Sequence, residues 1–197
     1  MKHFLLCVSL VSMIFVVGCF SRGGKRVEPP ALNPDTAGTE AMNLYDKNKD
    51  GVIKGDELDA SPALKACYAW LNKSGNGITA KDIADRIREW QETKTGLTLQ
   101  AINIQYGGKP VESGTVTLTP EAFLGANYSP ATGQINGGTV SPSCADNVDG
   151  LSGMPVGFYT VTFEGVPNAP AKMGIEIFDR NPDFQKTNNY TLELKTK

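Results

Sequence analysis

A chain of 197 residues with a formal net charge of −2 has no basic excess for gripping a phosphate backbone, so no nucleic-acid partner is expected. Hydrophobic residues make up 40% of it and charged residues 20%, which supports a packed core and excludes a wholly disordered chain. Its 21 glycines and 12 prolines favour turns and short strands over long helices.

The chain opens MKHFLLCVSLVSMIFVVGC. The apolar run from Phe4 to Gly18 is shorter than the roughly 20 residues that span a bilayer, and it reads as a secretory signal over residues 1–18. Its end, Val16-Val17-Gly18-Cys19, resembles the lipobox of bacterial lipoproteins. That resemblance implies cleavage before Cys19 and a lipid on its thiol, placing the protein outside the cytoplasm on a membrane. An ordinary signal peptide and an uncleaved anchor helix are the alternatives. Residues 19–38 are rich in Gly, Pro and polar side chains and are expected to be a flexible tether. Cleavage would remove His3, the only histidine, together with Cys7. Cys67 and Cys144 then remain in an oxidising setting, where they either pair as a disulfide or stay as two buried thiols.

Residues 39–95 carry a helical pattern. Thr39–Tyr45 is expected to form a short helix leading into DKNKDGVIKGDE, residues 46–57. This matches the 12-residue calcium loop. Asp46, Asn48 and Asp50 stand at positions 1, 3 and 5, Val52 offers its backbone carbonyl at 7, and Glu57 is at 12. Gly51 occupies the sharp turn at position 6, Ile53 the apolar position 8, and Lys54 at position 9 cannot ligate. The expected cofactor is Ca²⁺, which tolerates this mixed oxygen shell better than Mg²⁺ does. Leu58 is expected to begin an exit helix, with Pro62 in the first turn of another that carries Leu64, Cys67, Tyr68 and Leu71. Residues 72–83, NKSGNGITAKDI, read as a decayed second loop in which Asn72, Ser74, Asn76 and Gly77 echo positions 1, 3, 5 and 6. It lacks acidic ligands, and Asp82 falls one residue short of position 12, so it is expected to pair with the first loop without binding metal. Thr79 and Asp82 cap a following helix with Ile83, Ile87 and Trp90 on one face, and Gly96 is its expected stop.

From residue 96 to 197 the period changes to two. Ile102, Ile104 and Tyr106 alternate with polar residues, as do Val116 and Leu118, and Phe158–Phe163 and Tyr190–Leu194 also read as strands. The predicted fold class is α+β, a helical pair of loops followed by an all-β sandwich. GGKPVESGTVTLTPEAF, GQINGGTV and PVGFYTVTF resemble the carboxypeptidase-regulatory-like domain. That resemblance implies a non-catalytic β-sandwich of transthyretin-like or immunoglobulin-like build. SPATGQING, between Asn127 and Asn136, replaces the acidic turn usual in that family. Taken together, the chain resembles bacterial exported EF-hand lipoproteins with such a domain at the C-terminus.

No enzyme motif stands out. A mature chain without histidine builds neither a Ser-His-Asp nor a His-ligated zinc site, and no phosphate loop or Cys-x-x-Cys is present. Asp146, Asp149, Glu164 and Glu176 read as solvated charges. Trp70, Trp90, Tyr68, Phe158 and Tyr159 either line a binding face or fill an interface. The expectation is therefore a non-enzymatic calcium-binding lipoprotein in which calcium is a structural staple. Its partner beyond the membrane would be an envelope protein or a glycan. A calcium-dependent dockerin-like module and a carbohydrate-binding or carbohydrate-hydrolysing surface protein are the rivals.

Overall fold

A computed structural model of the chain describes residues 27–146 and 150–195. The signal segment, Cys19, residues 20–26 of the tether and Asp149 lie outside these residues. Helices come first and strands afterwards, an α+β arrangement with one short helix set among the strands. Among the described residues no helix is long and apolar enough to cross a membrane.

Helix α1 spans Pro34–Tyr45, because Asn33 accepts a bond from Thr36 N–H and Pro34 sits where no donor is required. It therefore begins inside the expected tether, not at Thr39. The residues just before it are also held: Gln91 donates to the Leu32 carbonyl and Asn127 to the Ala31 carbonyl. The expected exit helix at Leu58 is instead a 3₁₀ turn, Gly55–Ala60, which ends where Ser61 leaves helical geometry ahead of Pro62. Helix α2 spans Pro62–Leu71 and α3 spans Ala80–Thr93, the latter capped by the reciprocal Thr79–Asp82 bonds. The stop of α3 is Lys94, at φ +53°, and not Gly96.

Among the described residues nine strands form one hydrogen-bonded sheet: β1 Ile102–Tyr106, β2 Lys109–Pro110, β3 Ser113–Pro120, β4 Ala131–Asn136, β5 Thr139–Val140, β6 Ser143–Cys144, β7 Gly157–Glu164, β8 Met173–Ile177 and β9 Tyr190–Leu194. The order is β2-β1-β5-β4-β3-β7-β8, with β6 on β4 and β9 on β1. Every pairing is antiparallel except β1 with β9. A short helix, α4 (Pro182–Thr187), joins β8 to β9. The sheet curls around its own core. Alternate residues such as Ile102, Ile104, Val116, Leu118, Tyr159, Val161, Ile175, Ile177 and Leu192 pack there.

The other face of β7 and β8 carries the helices. Phe158 and Phe178 join Phe123, Trp90, Ile87, Leu64 and Tyr45 in a second cluster. Trp90 meets Phe158 edge to face at 4.7 Å. Trp90, Phe158 and Tyr159 are thus core and interface residues, whereas Tyr68 and Trp70 are partly buried at the margin. Helix α2 lies so close to β8 that a Cβ on Gly174 would stand 1.8 Å from the Pro62 carbonyl oxygen. Glycine is the residue that permits this contact.

Candidate metal centre

The loop after α1 folds around its own carboxylates. Asp46 Oδ2 accepts from Gly51 N–H at 3.0 Å and Oδ1 from Asp50 N–H at 3.2 Å. Asn48 Oδ1 accepts from Asp50 N–H at 2.8 Å, and Asp50 Oδ1 from Val52 N–H at 3.2 Å. Glu57 closes the loop from the far side. Its Oε1 accepts from Lys47 and Asn48 N–H at 2.9 and 3.2 Å, and its Oε2 from Lys54 N–H at 3.2 Å. Gly51 turns the chain at φ +87°, a conformation that costs other residues strain. Glu57 is buried, whereas Asn48 and Asp50 face solvent.

The structure therefore brings Asp46, Asn48, Asp50 and Glu57 onto one short loop. Among the described residues, no three His, Cys, Asp or Glu side chains converge into a metal-holding group by themselves. A cation here would need the Asn48 amide oxygen and the Val52 carbonyl beside the three carboxylates, and this mixed oxygen set is what calcium accepts. Lys54 already pairs with one of the expected ligands. Its Nζ lies 2.7 Å from Asp50 Oδ2, and that bond holds the Asp50 carboxyl below its ordinary range while raising Lys54.

A second loop lies alongside. Ile53 and Ile78 exchange backbone hydrogen bonds at 2.8 and 3.0 Å, joining the loops as a miniature antiparallel pair. Gly77 N–H reaches Asn72 Oδ1 at 2.9 Å, the counterpart of Gly51 and Asp46. With Ile53 matched to Ile78, Asp82 stands where Glu57 does, so this loop runs 72–82, one residue shorter than expected. The missing residue lies between Gly77 and Ile78, where Val52 stands in the first loop. Asp82 is also committed elsewhere: it accepts from Thr79 N–H at 2.9 Å and from the Thr79 hydroxyl at 2.7 Å.

Two buried carboxylates tie the helices to the sheet, and sequence inspection singled out neither as a buried anchor. Glu121, 4% exposed, accepts from the Tyr45 hydroxyl at 2.9 Å, from Ala63 N–H at 3.1 Å and from the Thr160 hydroxyl at 3.0 Å. Tyr45 immediately precedes Asp46, and Ala63 follows the turn beyond Glu57, so one carboxylate holds both flanks of the loop. Burial raises the Tyr45 phenol, and the Glu121 charge raises it further. Glu176 is fully buried, not solvated. Arg86 Nε and Nη2 reach its two oxygens at 2.6 and 2.9 Å, and Trp90 Nε1 and Asn181 Nδ2 each donate at 2.9 Å. Burial opposes the Arg86 charge, but Glu176 and Glu89 more than offset it. Asp146 and Glu164 are exposed, as expected.

Of the two alternatives for Cys67 and Cys144, the structure has the pair of unbonded thiols. Both thiols are free and buried, Cys67 in the helical cluster and Cys144 in the sheet core. Comparison with family models, curated proteins and solved structures finds no match for this chain.

Proposed function

We propose that the chain is an exported, lipid-anchored calcium-binding protein, not an enzyme, in which Asp46, Asn48, Asp50, the Val52 carbonyl and Glu57 hold the ion. The reading treats residues 39–95 as a pair of EF-hand loops with one active member, and the curled sheet as a transthyretin-like sandwich that serves a partner. One observation carries it: four oxygen-bearing side chains at positions 1, 3, 5 and 12 accept backbone N–H bonds within one loop, backed by a second loop through Ile53 and Ile78. Calcium would neutralise three carboxylates confined to 12 residues, and the bound ion would stabilise the folded loop by mass action. Glu121 would pass that stabilisation to the sheet. In an exported setting calcium can be plentiful, and a dissociation constant near 10⁻⁴ M is sufficient.

The test is calorimetric calcium titration of residues 20–197, with thermal unfolding in calcium and in EDTA. One-site binding and a higher melting temperature are expected, both lost in Asp46→Ala/Glu57→Ala. Absence of binding at millimolar calcium overturns the reading. The glycan reading keeps one supporting observation. A cavity of about 240 Å³ between β8 and β9 is lined by Trp70, Phe184, Tyr190, Asn181 and Thr191. The Trp70 indole N–H is buried without a hydrogen-bond partner among the described residues. Quenching of Trp70 fluorescence by a soluble oligosaccharide, absent in Trp70→Phe, would support it.

A further inference from the structure

Large apolar side chains are exposed at three places among the described residues: Leu44, Leu99 and Leu151, at 42%, 61% and 46%. Two of the three, Leu99 and Leu151, line one open hollow of about 430 Å³ with Val27, Gly96 and Leu97. Val27 lies against Gly96, close enough that its carbonyl oxygen would stand 2.0 Å from a Cβ there. Val27 is also where the segment from Cys19 arrives. Eight residue steps separate the two, which at full extension span at most about 28 Å. The residues between include Arg22, Lys25 and Arg26 and no acid.

We infer that the face formed by Val27, Leu97, Leu99 and Leu151 rests on an anionic phospholipid surface. The inference builds on the lipid-anchor reading and adds an orientation that reading does not contain. Exposed leucines gathered at the anchored end can enter the interface between headgroups and chains. The adjacent cations are attracted by anionic headgroups. Helix α3 ends beside this face and begins beside the paired loops. Its 14 residues span about 21 Å. That length exceeds the roughly 8–10 Å over which salt screens the surface charge. The proposal sets the metal loop at the far end of α3, clear of the membrane and open to bulk calcium.

The experiment uses the full chain, processed in a bacterial host and reconstituted in vesicles of phosphatidylethanolamine and phosphatidylglycerol. Leu151→Cys and, separately, Lys81→Cys carry an environment-sensitive fluorophore. Both positions are exposed, and the buried Cys67 and Cys144 do not compete for label. Mass spectrometry reads the modification at Cys19. The expected result is a blue-shifted probe at 151, shielded severalfold from aqueous iodide relative to the probe at 81. Equal quenching at the two sites on a Cys19-lipidated chain overturns the surface and leaves the anchor. Shielding at 151 without a lipid on Cys19 overturns the anchor and keeps the surface. A chain neither lipidated nor vesicle-bound overturns both.

Discussion

Replacing Glu121 with alanine should loosen the helices from the sheet and destabilise the 46–57 loop from both flanks. The carboxylate accepts three bonds, from Tyr45, Ala63 and Thr160, at 2.9–3.1 Å. Thr160 is half-buried and can turn to water, but the Tyr45 hydroxyl and Ala63 N–H are enclosed. Each buried donor left without an acceptor costs about 1–3 kcal/mol, so the pair costs about 4 kcal/mol. At roughly 2–4 °C per kcal/mol for a chain of this size, the melting temperature falls by about 8–16 °C. Glu121→Gln keeps one acceptor oxygen and should lose about 1 kcal/mol. Adding Tyr45→Phe to Glu121→Ala removes one orphaned donor, so the double variant should be less destabilised than the two singles sum to. Thermal and urea unfolding followed by circular dichroism read the four variants (Glu121→Ala, Glu121→Gln, Tyr45→Phe and the double) beside the parent chain. A drop of less than about 2 °C in Glu121→Ala would refute the clamp, since it corresponds to under 1 kcal/mol.

Arg86→Met strands the Glu176 charge in the interface and should cost about 3–5 kcal/mol, while Arg86→Met/Glu176→Gln, which removes that charge and keeps one acceptor oxygen for the Trp90 and Asn181 donors, should recover part of it. A double variant no better than the single in urea unfolding would contradict this. Lys54→Gln frees Asp50 from its internal cation and should tighten calcium binding up to about fivefold. Unchanged or weaker binding by calorimetry would argue against competition by Lys54. Burial holds the phenols of Tyr45, Tyr128, Tyr159 and Tyr190 above the ordinary 10.0, with Tyr128 pushed up to about 12. Above pH 10 the unfolded chain releases phenolic protons that the folded chain keeps. Stability, complete below pH 10, should then fall by up to about 1.4 kcal/mol per pH unit for each buried tyrosine. Phenolate absorbance from these four of the six tyrosines should rise together with unfolding; release of more than two phenolic protons near pH 10 in a folded protein would exclude the effect.

Local signals carried much of the chain. Capping by Thr79 and Asp82, Pro62 at a helix start and the two-residue period around Ile102, Val116 and Leu192 are short-range chemistry, and the corresponding α3, α2, β1, β3 and β9 are present. The spacing of Asp46, Asn48, Asp50 and Glu57 likewise lies within 12 residues, so the loop's shape was legible before any packing was known. Tertiary contacts decided the rest. Helix α1 extends back to Pro34 because Asn33 caps it and Ala37 and Ala41 are covered by the helical cluster. Glu176 follows the outward phase of an alternating strand, and by sequence alone its side chain points to water. It is buried because α2 and α3 lie over that face, bringing Arg86 and Trp90 from some 90 positions away. Glu121 has no local signature either, since its partners Tyr45 and Ala63 precede it by 76 and 58 positions. Residue spacing along the chain defines a loop. Which faces are covered, and therefore which charges must find partners, depends on how the layers stack.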